Sequence, residues 1–145
     1  MKWQEIKGGE QRTFAVIFDK GDEAVEGLTA MAREKKLSAS QISGIGAFSD
    51  AVLGFFDWQT KDYRRIPVRE QVEVVALLGD VALDDAGKPK LHLHVVVAKS
   101  DGTALGGHLL EAHVRPTLEV VLTESPAHLH RRPDPESGLA LIKLP

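Results

Sequence analysis

Runs of residues that suit a pleated sheet follow one another along this chain, and one stretch, Asp22 to Lys36, carries a helical period instead. Acidic residues open that stretch and basic residues close it, as the helix macrodipole favours. Val25, Leu28, Met31 and Ala32 share one face, while Gly27 weakens the helix by about 1 kcal/mol relative to alanine. The remaining elements read as strands. They are Gln11 to Gly21, two strands within Ser38 to Trp58 with a turn near Ser49-Asp50, Glu70 to Leu83 with a bend at Gly79, the run from Leu91, and Arg115 to Ser125. Asp84 to Lys90 is turn chemistry, and the tail starts irregular and ends in a short apolar run, Leu139 to Leu144. One helix near the N-terminus among many short strands predicts an α+β fold with a mostly antiparallel sheet. The 145 residues suit a single domain, 1–145, with no internal repeat.

Several function classes are disfavoured at once. No apolar run approaches the ~20 residues a membrane helix needs, and the opening MKWQEIKGGEQR has no apolar stretch before a cleavage-like site. A cytoplasmic protein without a membrane partner is expected. The absence of cysteine removes disulfides, thiolate metal sites and a cysteine nucleophile. A net charge of −3 runs against a basic DNA-gripping face. The G-x-G at Gly44 and Gly46 lacks the following helix that a dinucleotide fingerprint needs, so a tight β turn or close packing is the expectation there. No G-x-S-x-G elbow is present. HLHRRP, from His128 to Pro133, reads as a solvated loop flanked by prolines.

The stretch LHLHVVVAKSDGTALGGHLL, Leu91 to Leu110, holds three of the six histidines. Alternation puts His92 and His94 on one face of a strand and Leu93, Val95 and Val97 on the other, the core face. The turn decides where His108 goes. A two-residue Asp-Gly loop would set Val95 opposite His108. A three-residue loop, Ser100-Asp101-Gly102, would pair Lys99 with Thr103 and set His94 opposite His108, on the same face. A bulge at Gly106-Gly107 would change either register by one. Two readings of the histidines stand side by side: imidazoles on a partly exposed or interfacial sheet, or a three-ligand metal site. Neutral imidazoles suit Zn²⁺, Ni²⁺ or Fe²⁺ better than Mg²⁺ or Ca²⁺, and three protein ligands leave a position open for water or a small anion. Glu73 and Glu119 lie inside β runs, where an outward-facing residue is the plain expectation and a general base beside a metal is the alternative.

GIGAFSDAVLGFFD, EVVALLGDVAL and KLHLHVVVAKSDGTALGGHLLEAHVRPTLEVVLTE occur in this order. Together they resemble the plant-and-prokaryote-conserved (PPC) domain over about Arg12 to Glu124, leaving a C-terminal tail, 125–145. The H-x-H, turn, G-G-H-L series is the specific part of the likeness. The resemblance implies a compact PPC-like α+β fold, a homotrimer, and in some prokaryotic members a metal site at the positions of His92, His94 and His108; the chemistry of three imidazoles makes Zn²⁺ the favoured ion there. A binding or regulatory role follows, with a small molecule or anion as a possible ligand at the metal. The alternatives are a metalloenzyme, with Glu119 or Glu73 as base, and a DNA-binding protein acting through a trimer surface. DNA binding is not favoured, because the family's AT-hook needs an R-G-R-P core and this chain has HRRPD. No role is assigned to His113, His128 or His130.

Overall fold

A computed structural model describes residues 1–7, 10–126 and 128–143. Its strands are β1 (Lys2–Lys7), β2 (Arg12–Phe18), β3 (Ala39–Asp57), β4 (Asp62–Val68), β5 (Val72–Leu83), β6 (Pro89–Ala98), β7 (Ala104–Glu124), β8 (Arg131–Pro133) and β9 (Ala140–Ile142). The helix α1 spans Ala24–Glu34, with Glu23 as its N-cap and Arg33 in its last turn. The first seven strands pair antiparallel in the order β1-β2-β7-β6-β5-β3-β4, and β7 also pairs with β3. That extra pairing closes β3, β5, β6 and β7 into a ring. The expected α+β, mostly antiparallel architecture with one helix is what the chain forms. No helix among the described residues is long and apolar enough to cross a membrane.

The ring has a packed inner side and an outer side. Phe14, Val16 and Phe18 of β2, Leu93, Val95 and Val97 of β6, and Leu118, Val120 and Leu122 of β7 are buried inside. Helix α1 lays Ala24, Leu28, Met31 and Ala32 into that core. Burying each large apolar side chain stabilises the fold by roughly 1.5–3 kcal/mol relative to exposure. The alternate residues project outward. There Ile45 is 60% exposed, Val75 and Leu78 56% each, and Val121 48%. The helix covers one side of the sheet, and nothing among the described residues covers this second apolar side.

Four local expectations need correction. Ser38 to Trp58 does not fold as two strands about a turn: β3 is a single strand of 19 residues. Ser49 Oγ donates to Asp50 Oδ2 at 2.8 Å, and Asp50 Oδ1 lies 2.8 Å from His113 Nδ1. The polar pair therefore serves a cross-strand contact, and register shifts between Gly46 and Asp50 absorb the bend. In β5 the irregularity falls between Val74 and Ala76, not at Gly79. Arg115 to Ser125 is only the second half of β7, which runs for 21 residues. HLHRRP is not simply a solvated loop. Arg131 is buried, β8 pairs with β9, and Leu83 N donates to Leu129 O at 2.8 Å. Of the tail's apolar run, Leu144 lies outside the described residues.

Candidate metal centre

The turn between β6 and β7 takes the three-residue form. Lys99 N donates to Thr103 O and Gly102 N to Lys99 O, each at 2.9 Å, and Gly102 has φ +82°. The glycine supplies the left-handed conformation that such a loop needs. The register that follows runs from Ala98↔Ala104 to His94↔His108 without a break. Gly106 and Gly107 introduce no bulge. Gly107 serves a different purpose from bending: a Cβ there would stand 2.7 Å from Gly54 O on β3, so its missing side chain lets β7 close against β3. His108 pairs with Gly54 in that contact.

His92, His94 and His108 thus share the outer side of the ring, opposite the buried Leu93 and Val95. The Nε2 atoms of His92 and His94 are 3.0 Å apart. Ring centroids are 4.9 Å apart for His92–His94, 5.3 Å for His92–His108 and 5.4 Å for His94–His108. One nitrogen from each ring lies within 4.8 Å of the other two. Tetrahedral ligation at about 2.0–2.1 Å needs nitrogens about 3.4 Å apart, so a small closure of the rings suffices. His108 Nδ1 is buried without a hydrogen-bond partner. Burial, helped by the neighbouring His92 and His94, holds the His108 imidazole down at about 4. His92 is lowered too, first by burial and then by Arg131 and His94. A metal needs neutral rings, and this environment favours the neutral form of His92 and His108. The donor set fits a borderline transition ion.

Other elements shape the surroundings. Tyr63 of β4 stacks on His108 with centroids 4.6 Å apart, and Phe56 packs edge-on against Tyr63 at 5.5 Å. Asp80 is the register partner of His92. It accepts a hydrogen bond from Arg131 Nη2, and its other oxygen lies 3.9 Å from His92 Nδ1. Arg131 also donates from Nη1 to Ala140 O at 3.2 Å. The tail thereby walls a cleft of about 340 Å³ whose lining includes Tyr63, His92, His108, Arg131, Leu139 and Leu141. The sequence reading did not single out Asp80 or Arg131. Asp80 was findable, because the Asp84 to Lys90 turn sets β5 against β6 and puts a carboxylate opposite His92. Arg131 was not, since its contact with Asp80 spans 51 residues.

Glu73 and Glu119 are both exposed, as the plain expectation had it. Neither joins the histidines. Glu73 pairs with Ala98 at the hairpin end of β6, and Glu119 faces Ile17 and Ile45. His113 stands apart with Asp50, whose hydrogen bond raises the imidazole above its ordinary value. His128 contacts Ser38, and His130 forms a bridge with Leu83.

An antiparallel ring with a helix packed on its core side and three imidazoles outside defines a class of small β-rich proteins with a candidate metal centre. The chain belongs to the Plants and Prokaryotes Conserved (PCC) domain family, also written PPC, whose sequence profile matches residues 5–126. The metal-containing protein AF0104 of Archaeoglobus fulgidus is 32% identical, with 99% of each chain covered and a TM-score of 0.83. A Bacteroides thetaiotaomicron protein provisionally assigned as DNA-binding is 32% identical, with 97% of this chain and 96% of that one covered and a TM-score of 0.86. A Synechococcus bifunctional protein GlmU is 33% identical over 138 residues, 93% of this chain. The chain spans about a fifth (21%) of that curated relative's length.

Proposed function

We propose that this PCC-domain protein is a homotrimer in which His92, His94 and His108 hold one divalent cation, Zn²⁺ by preference, in a binding or regulatory role. The observation that carries the reading is the convergence of one nitrogen from each ring to within 4.8 Å of the others. The unpartnered His108 Nδ1 and the metal-containing Archaeoglobus relative support it. When bound, such an ion supplies a Lewis-acidic position open to water or a small anion. The chain's own residues would do the rest. Tyr63 holds the His108 ring, Asp80 sits beside His92, and the tail limits access. The trimer is supported by the uncovered outer side, where Ile45, Val75, Leu78 and Val121 remain exposed. Leu78 is the register partner of His94, so the apolar side runs up to the histidines.

Elemental analysis of untagged protein is the test. An equimolar divalent metal that is lost in a His94→Ala variant supports the site. Metal-free protein that stays metal-free after incubation with Zn²⁺ overturns it. Sedimentation at micromolar concentration tests the trimer, and a monomer removes it. A metalloenzyme is the second reading, favoured by the cleft of about 340 Å³ beside His92 and His108. DNA binding has less support, because the net charge is −3 and the arginine pair of HRRPD lacks the AT-hook glycine.

A further inference from the structure

We propose a second site, away from the histidine cluster, that takes a small organic phosphate. A cleft of about 700 Å³ opens between the end of α1, the β5–β6 turn and the segment after β7. Its cations come from different elements: Arg33 and Lys36 from the helix end, Lys88 from the turn, with His128 from the far side. No acidic residue is among the described residues that line it, and Leu37, Leu83 and Pro89 supply apolar walls. Arg33 and Lys36 also offset the helix C-terminal dipole. Lys88 and His128 have no such duty, so dipole compensation does not account for the group.

Ser38, which lines the cleft, is held from behind by a buried carboxylate. Glu124 is buried at 5% exposure, and its carboxylate accepts from Ser38 N at 2.8 Å, from Ala39 N at 3.3 Å and from Ser40 Oγ. Ser38 Oγ lies 3.2 Å from Glu124 Oε1 and 2.7 Å from His128 Nδ1. A carboxylate only accepts, so the Ser38 hydroxyl proton points at Glu124. With that proton directed at Glu124, the 2.7 Å contact is one in which His128 Nδ1 donates to Ser38 Oγ, turning Nε2 away from Ser38. Nε2, the His128 nitrogen not engaged with Ser38, can accept from a protonated phosphate oxygen. The cations match a dianion better than a monocarboxylate, and the apolar walls favour a ligand with a hydrophobic body.

Phenyl phosphate is the probe, measured by calorimetry on metal-free and Zn²⁺-loaded protein at low ionic strength. Saturable equimolar binding of similar affinity in both forms is expected, weakening as salt rises. Lys88→Glu and His128→Ala should each weaken it by roughly ten-fold or more, the scale of a lost hydrogen bond to a charged group. Both positions are exposed, and unchanged thermal melting checks the fold. Binding only to the Zn²⁺-loaded protein would put the anion at the histidines and overturn the second site. Benzoate binding as tightly as phenyl phosphate would overturn the phosphate class. Failure here leaves the histidine reading untouched, since that one is decided by metal content.

Discussion

Replacing Asp80 by asparagine separates two duties that one carboxylate performs. Asp80 neutralises Arg131 and stands next to His92. The Arg131 side chain is 6% exposed and that of Asp80 is 30% exposed. Removing the charge from Asp80 therefore strands the more buried partner. An uncompensated buried ion of this kind costs roughly 3–5 kcal/mol. The asparagine oxygen and Ala140 O still accept hydrogen bonds from the guanidinium, which brings the expected loss to about 2–4 kcal/mol. The same change leaves an unbalanced cation near the three imidazoles. Loss of a carboxylate that supports a ligating histidine weakens metal binding roughly 10–100-fold. Urea unfolding of the metal-free protein reads the first quantity, and competition with a chelator reads the second. A double variant, Asp80→Asn with Arg131→Met, removes both charges and should recover most of the stability, because an apolar pair replaces an ion pair at little cost. An Asp80→Asn protein within about 0.5 kcal/mol of the parent, the range of an ordinary surface change, would refute the account of the Asp80–Arg131 pair. Unaltered metal affinity would refute the account of His92.

Other expectations follow from the same geometry. His94→Ala, on the outer side, should change unfolding free energy by no more than about 0.5 kcal/mol while abolishing stoichiometric metal. Leu93→Ala on the inner side, where the side chain is 2% exposed, should cost roughly 2–5 kcal/mol; the reverse ranking in urea unfolding would show that the faces are misassigned. Gly107→Ala puts a Cβ 2.7 Å from Gly54 O, and denaturation should show a loss of about 1–3 kcal/mol from overpacking. In metal-free protein His108 sits at about 4 against an unfolded value near 6.5, so below pH 6.5 the unfolded chain takes up a proton that the folded one refuses. Its contribution is fully present above that value and falls as pH drops from about 6.5 to about 4; a His108→Gln variant should lose this pH-dependent component, and an unchanged slope over that window would contradict the placement. His113, raised by Asp50, acts in the opposite sense and is common to both proteins in that comparison.

Legibility followed the range of the interaction that fixed each feature. Leu93, Val95 and Val97 were readable as core because alternation is a property of one strand, and all three are buried. The hairpin left two registers open from sequence, and Gly102 at φ +82° selects the one that faces His94 with His108. Ser49-Asp50 misled because its composition is that of a turn, while its side chains bond each other and His113, from β7, across the sheet. Nothing local could say that a strand of 19 residues continues through it.

The same limit explains the tail. Arg131 sits in a segment with the composition of a solvated loop, and its burial depends on Asp80 in β5 and on Ala140 O in β9. These partners also define its consequence for the candidate site. The Asp80 carboxylate that holds the tail is the one opposite His92, so the cleft wall and the histidine's electrostatic neighbour are fixed by one ion pair. Access to the cleft and the electrostatics of the histidines therefore share one residue, Asp80.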